Sequence, residues 1–213
     1  MSQSQIIVIL LVIGGIITLQ FFQGRKINLL LMKKYVQGFE KNLNIKDKTY
    51  VWIGGYAGFR AHYELNDSSV KKLELTLTLL PRQSLLYLPI SLITRKHDRL
   101  YIVLRSRVKI DTDVHIIKKY YYFLGADIDE ARELEKGEIV LGENKFLTMY
   151  RNLKDLDKLM ELTKKTFNPD RLRHIGLVKS TNVLFALIKP DPNETPKEIK
   201  KLVENFKNIV IHA

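Results

Sequence analysis

The chain has 213 residues, 46% hydrophobic and 27% charged, enough for one sizeable folded domain or a domain plus an anchor. It contains no cysteine, which excludes disulfides, thiolate zinc sites and thiol nucleophiles. The formal net charge of +12 favours anionic partners, either phospholipid headgroups or nucleic acid, and residues 1–23 carry none of it.

The charge is uneven along the remainder. Residues 24–48 hold seven Lys/Arg against two acids, 49–119 twelve against six, and 151–213 thirteen against eight, while 120–150 reverse the balance with three against seven. Three basic regions therefore flank one acidic stretch.

Ile6–Phe22 runs seventeen residues without a charge. As a helix it would reach about 26 Å, close to the roughly 30 Å hydrocarbon core of a bilayer. A spanning helix is the expected reading, since a helix satisfies its own backbone in lipid. A secretory signal fits less well, because Met1–Gln5 has no basic side chain and "LQFFQGRK" offers no small-residue cleavage pattern. Arg25, Lys26, Lys33 and Lys34 follow the span at once. The positive-inside rule then puts residues 1–5 outside as a short tail, 6–23 in the cell membrane as the anchor, and the C-terminal side in the cytoplasm. Gly14–Gly15 would permit close helix packing, a weak pointer to a homo-oligomer.

Residues 24–45 continue as an amphipathic juxtamembrane helix. Leu29, Met32, Val36, Phe39 and Leu43 share a face by their spacing of three and four. That face packs on the following domain, lies on the bilayer or pairs with a second copy, and the four cations are expected at lipid headgroups in each case.

Residues 46–213 read as the cytosolic domain. Alternation of period two marks strands in "AGFRAHYEL", "VKKLELTLTLL" and "RLYIVLRSRVKI". "DVHIIKKYYYFLG" reads as a fourth strand, residues 126–136 as an acidic helix or loop, and "EIVLGENKFLTMY" as a hairpin turning at Gly142–Asn144. "LKDLDKLMELTKKTF" is a helix stopped by Asn168-Pro169, and "HIGLVKSTNVLFALIKP" a hairpin turning at Ser180–Asn182. Thr195-Pro196-Lys197-Glu198 has the pattern of a capping box opening a last helix with Ile199, Leu202, Val203 and Phe206 inward. The expected fold is α+β: a mainly antiparallel sheet of six to eight strands, with a closed barrel as its variant, covered by two C-terminal helices and preceded by one N-terminal transmembrane helix.

The least ordinary stretch is Leu79–Arg99, where Leu85, Leu86, Leu88, Ile90, Leu92 and Ile93 crowd together between Arg82 and the cations Arg95, Lys96 and Arg99. It is too short and interrupted to span. It reads as a buried strand or core loop, as an apolar loop dipping into the membrane with its cations on phosphate, or as a groove for a protein partner.

Two further constellations are candidates. Arg60 and His62 on one strand, with Arg105, Arg107 and Lys109 on another, would make a basic face, and with Tyr101 and Tyr120–Tyr122 they supply the ingredients of single-stranded nucleic-acid binding. No RNA-binding signature accompanies them, so a solvated charged face competes. Arg60, His62 and Glu64 share a face and could carry acid–base chemistry. The five histidines lack H-x-x-x-H spacing, and no phosphate-loop, nucleophile-elbow or dinucleotide motif is present. No metal and no cofactor is expected. The leading expectation is a single-pass membrane protein of unknown activity that works by binding anionic lipid or a protein partner; the alternatives are a tethered nucleic-acid or ribosome-binding module and a membrane-bound enzyme.

Overall fold

The structure is a computed structural model. It describes residues 2–94, 97–122 and 133–210, the last three without their side chains.

One helix, α1, runs unbroken from Gln3 to Asn42. Ser2 opens it with a capping box: its hydroxyl accepts the Gln5 N–H at 3.3 Å, and the Gln5 side chain accepts the Ser2 N–H at 2.9 Å. The tail expected over residues 1–5 is therefore helical from Gln3. Thr18, a polar residue within the apolar run, donates its hydroxyl to the Gly14 carbonyl at 2.8 Å and so satisfies its one donor within the helix. Up to Gln23 the helix is exposed but for the half-buried Gln20. From there Gly24, Asn28, Met32, Tyr35 and Phe39 are buried, and Met32, Tyr35 and Phe39 join the core. The amphipathic face thus packs on the domain. It is rotated from the expected stripe, since Leu29 and Val36 are only partly buried while Asn28 and Tyr35 point inward.

The strands are β1 (Ile45–Ile53), β2 (Gly58–Leu65), β3 (Val70–Thr78), β4 (Arg99–Ser106), β5 (Val114–Lys118), β6 (Glu135–Leu141), β7 (Asn144–Tyr150), β8 (Leu172–Val178) and β9 (Val183–Ile188). They form one antiparallel sheet in the order β1-β2-β3-β4-β9-β8-β5-β7-β6. The α+β expectation holds, with nine strands among the described residues rather than six to eight. The sheet is open, with β1 and β6 as its edges, so the barrel variant is not realised.

Alternation decides which face is covered. Leu73, Leu75 and Leu77 of β3 oppose Leu104, Ile102 and Leu100 of β4, and all six are fully buried. A register slip of one residue would turn that whole set to solvent, so the pairing is strongly specified. The second half of α1, α4 (Leu153–Thr166) and α5 (Thr195–Val210) cover this face. Two shorter helices, α2 (Tyr87–Thr94) and α3 (Lys119–Tyr122), lie in connections, so the described residues hold five helices, the two expected C-terminal ones and the N-terminal one among them. The tyrosine run read as strand is the helical turn α3, because β5 ends at Lys118.

The opening of α5 differs from the expected capping box. Thr195 Oγ1 accepts from the Asp191 N–H at 2.8 Å, and the Glu198 carboxylate turns away to the Asn168 N–H at 3.3 Å and to the Arg171 guanidinium. Burial pushes the Glu198 acid up from its ordinary value, although Arg171 pulls the other way. Glu198→Ala would strand the Arg171 charge in a mostly buried site, and a loss of about 3 kcal/mol in urea unfolding is expected. Glu198→Gln, which keeps the packing and an acceptor, should lose less.

Candidate functional site

The apolar run of α1 ends beside a polar clamp that joins the helix to one end of the sheet. Gln20, Gly24 and Asn28 lie four apart and so share one helix face. Gln20 Nε2 donates to the Arg82 carbonyl at 2.8 Å. At Gly24 a side chain would overlap that same carbonyl and the Gln83 N–H, so only glycine lets the chain cross the helix here. Fully buried Asn28 donates to the carbonyls of Leu80 and Tyr56, both at 3.0 Å, and its Oδ1 accepts from Arg82 Nη1 at 3.0 Å. Asp98 closes the ring. Its Oδ1 accepts from the Leu80 N–H at 2.7 Å and from Arg82 Nη1 at 3.0 Å, and its Oδ2 accepts from Arg82 Nη2 at 2.8 Å. The β1–β2 turn is tied in as well, through Tyr56 and through Gln83, which donates to the Gly55 carbonyl. Arg25 stacks over the Tyr56 ring at 4.6 Å.

This clamp fixes the place of α2. The helix follows directly, with the Leu88 N–H bonded to the Ser84 carbonyl at 2.9 Å, and Pro89 falls in its first turn, where a missing N–H is tolerated. Helix α2 has no charged residue and no buried one. Leu86 is 78% and Ile93 76% exposed, Leu85, Ile90 and Leu92 are also exposed, and Leu88 is half-buried. The reading of this stretch as a buried strand or core loop holds only for Leu79 and Leu80, which are buried; from Leu85 on it is a turn followed by helix α2, with most of its apolar side chains outward. Trp52, 61% exposed, and Val51 stand near the same end of the sheet on β1.

Lys26, Lys33 and Lys34 are exposed along α1 and Arg25 is half-buried. Arg82 turns inward to the clamp, with its side chain only 23% exposed, because Asp98 and Asn28 offer it three hydrogen bonds. Arg95 and Lys96 lie outside the described residues.

Arg60, His62 and Arg105 do share the face of the sheet opposite the helices. Arg107 and Lys109 fall beyond the end of β4. Acids interleave this face: Arg105 Nε meets Glu74 Oε1 at 2.7 Å, Lys72 reaches the same carboxylate at 3.8 Å, and Lys109 pairs with Asp111 at 2.9 Å. His62 lies between Thr49 and Glu74 on the neighbouring strands, and its buried Nδ1 has no hydrogen-bond partner to orient the ring. Arg60 and Glu64 on either side of it are exposed. No three His, Asp or Glu side chains among the described residues converge as metal ligands.

The chain matches no protein-family model and no curated protein. Among solved structures it is similar to the crystal structure of the mycobacterial trehalose monomycolate transport factor A, TtfA, at 11% identity and a TM-score of 0.36, over 78% of this chain and 72% of that one. Within its own described residues, the chain has one helix, α1, long and apolar enough to cross a membrane.

Proposed function

We propose that this protein is a single-pass membrane protein whose α+β domain works by binding at the bilayer surface, engaging anionic lipid and presenting its free faces to a partner. Helix α1 spans the cell membrane with its N-terminus outside, and the domain is cytoplasmic. Helix α2 lies in the interface of the leaflet that α1 leaves.

One observation carries the reading. A helix that is apolar all round needs an apolar surrounding, and α2 buries no residue in the protein. It begins where the 79–84 loop crosses α1 at Gln20–Gly24, next to the end of the apolar run. Lipid already meets α1 at that level, so the same lipid surrounds α2. Trp52 and Tyr56 at this end suit the headgroup boundary, where aromatic side chains with a polar edge collect. Arg25, Lys26, Lys33 and Lys34 supply attraction to anionic headgroups.

The absence of cysteine makes the test clean. Single cysteines at Leu86, Ile93 and, as a control, Lys109 are reacted in membranes with a charged maleimide. Leu86→Cys, just before α2, and Ile93→Cys within it should react much more slowly than Lys109→Cys, and dyes on them should be quenched by lipid-borne nitroxides. Equal reaction rates at all three positions would remove α2 from the membrane. For orientation, Ser4→Cys should label from outside intact cells and Lys109→Cys only after lysis. Soluble fragments must begin near residue 24, since Met32, Tyr35 and Phe39 complete the core.

The nucleic-acid alternative draws on Arg60, His62, Arg105, Arg107 and Lys109. Glu74 neutralises part of that face, and the set is divided between the sheet and the segment after it.

A further inference from the structure

Three cations from separate parts of the chain, Arg99, Arg173 and Lys189, come together at the α2 end of the sheet. Leu100 of β4 pairs with Ile188 of β9, and Ile188 pairs with Leu172 of β8. This register places Arg99, at the start of β4, beside Lys189, which follows β9. Arg173 occupies the irregularity between Leu172 and His174 in β8. His174 pairs with Ile117 of β5, so the Lys118 backbone lies next to Arg173, while the Lys118 side chain, opposite the core residue Phe146, leaves from the other face. His97 sits among them, 3.5 Å from Arg173 Nε through its Nε2. A cavity of about 110 Å³ opens here, lined by Thr78, Leu79, His97, Arg99 and Tyr101.

None of Arg99, Lys118, Arg173 and Lys189 makes an ion pair with a carboxylate among the described residues. Of the two nearby acids among the described residues, Asp98 is committed to Arg82, and Asp170 accepts from Asn144 Nδ2 at 2.6 Å while its backbone carbonyl takes Lys118 Nζ at 3.3 Å. The cations press on one another. Arg173 is held below its ordinary value by burial and then by Arg99, and Lys118 by burial and then by Arg173. His97 is pushed down to about 4 by burial and by Arg173, Lys189 and Arg99 together. Arg99 and Arg173 are half-buried and Lys189 is exposed; half-buried like charges with no carboxylate partner among the described residues are costly, and the cost is relieved when an anion enters. Two guanidinium groups, one ammonium group and a tyrosine hydroxyl match the oxygens of a phosphate.

We infer that Arg99, Arg173 and Lys189, with His97 and Tyr101, form a binding site for a phosphate group, on the same end of the domain as α2. These are not the juxtamembrane lysines of the proposed function. A phosphate group can come from an anionic lipid headgroup or from a soluble phosphate ester. The site does not depend on how α2 meets the bilayer.

The full chain is examined in neutral phosphatidylcholine nanodiscs titrated with inorganic phosphate, and in nanodiscs containing phosphatidic acid. Thermal unfolding and the His97 ring resonance, assigned with His97→Asn, are the readouts. Binding should raise the unfolding temperature and move the His97 titration upward, because the anion offsets its cationic neighbours. Arg99→Gln/Lys189→Gln should weaken binding about tenfold to a hundredfold. Lys201→Gln/Lys207→Gln, which removes equal charge from the exposed face of α5, should not. Response to both ligands, or to phosphatidic acid alone, assigns the site to phosphate with a lipid source available; response to inorganic phosphate alone assigns it to a soluble ester. No response to either, or an equal response in the Arg99/Lys189 variant, overturns the site. A positive result here stands even if the α2 cysteines prove freely reactive, so the two proposals fail separately.

Discussion

Asp98→Ala is expected to destabilise the domain by about 2–4 kcal/mol and to release α2 from its fixed place beside α1. The carboxylate receives three hydrogen bonds, from the Leu80 N–H and from two nitrogens of Arg82. Both side chains of the pair are largely shielded, 15% and 23% exposed. Without Asp98 the Arg82 guanidinium keeps only Asn28 Oδ1, and the Leu80 N–H loses its acceptor. Arg82→Ala should cost less, because Asp98 still holds the Leu80 N–H. An exposed ion pair would cost under about 1 kcal/mol from either side. Gly24→Val attacks the same joint from the helix, since its side chain would overlap the Arg82 carbonyl. Neither variant touches the uncharged run Ile6–Phe22. Resistance to carbonate extraction should therefore persist while thermal stability in detergent falls, and cysteines on α2 should become reactive. A variant that keeps wild-type stability and wild-type α2 protection would show that the clamp does not place that helix.

The clamp explains what could and could not be read from residues alone. Alternation made the strands legible: Leu73, Leu75 and Leu77 are fully buried as a period of two demands. The stripe Ile199, Leu202 and Phe206 was equally plain, and all three are fully buried. Gln20, Gly24 and Asn28 did carry a pattern, small or polar residues every fourth position on a helix otherwise apolar on that side. Its meaning lies in Arg82 and Asp98, more than fifty residues away, and no local rule connects them. The apolar crowd in 85–93 was visible too. Periodicity says which residues share a side, not what stands opposite, so core strand and surface helix could not be separated. The pattern Thr195-x-x-Glu198 located α5 correctly but not its chemistry, because Arg171 competes for the carboxylate. The cation cluster was hidden for a topological reason. The spatial order β4-β9-β8-β5 departs from the chain order, so residues 99, 173 and 189 become neighbours only once the sheet is assembled.

The same assembly buries two histidines, and acid should unfold the domain through them. His115 on β5 and His174 on β8 lie on the face of the sheet away from α4 and α5, with His115 Nδ1 3.2 Å from His174 Nε2. Gly176 opposes His115, and a side chain there would strike the imidazole, so glycine makes the room for the pair. Phe185 packs edge-on against His174 at 5.1 Å. Burial pushes His115 down to about 4, with Asp113 pulling weakly upward, and it pushes His174 down to about 3, with His115 adding to the effect. Both rings are therefore neutral in the folded protein, where one N–H donates to the other ring's lone pair. Above pH 6.5 the unfolded chain is neutral at these positions too, and stability is complete. As pH falls below 6.5 the unfolded chain takes up protons that the folded one refuses, so stability declines until the folded rings titrate, His115 near pH 4 and His174 near pH 3. Each ring should account for roughly 2 kcal/mol of loss by pH 5. His97, also pushed down to about 4, acts in the same window. Urea unfolding of the full chain in detergent, repeated from pH 7 to pH 5, reads the slope. His174→Gln, which keeps a nitrogen donor toward His115 but cannot take up a proton, should reduce that slope by about one proton. Stability that stays level down to pH 5 would mean the two rings do not sit neutral and enclosed.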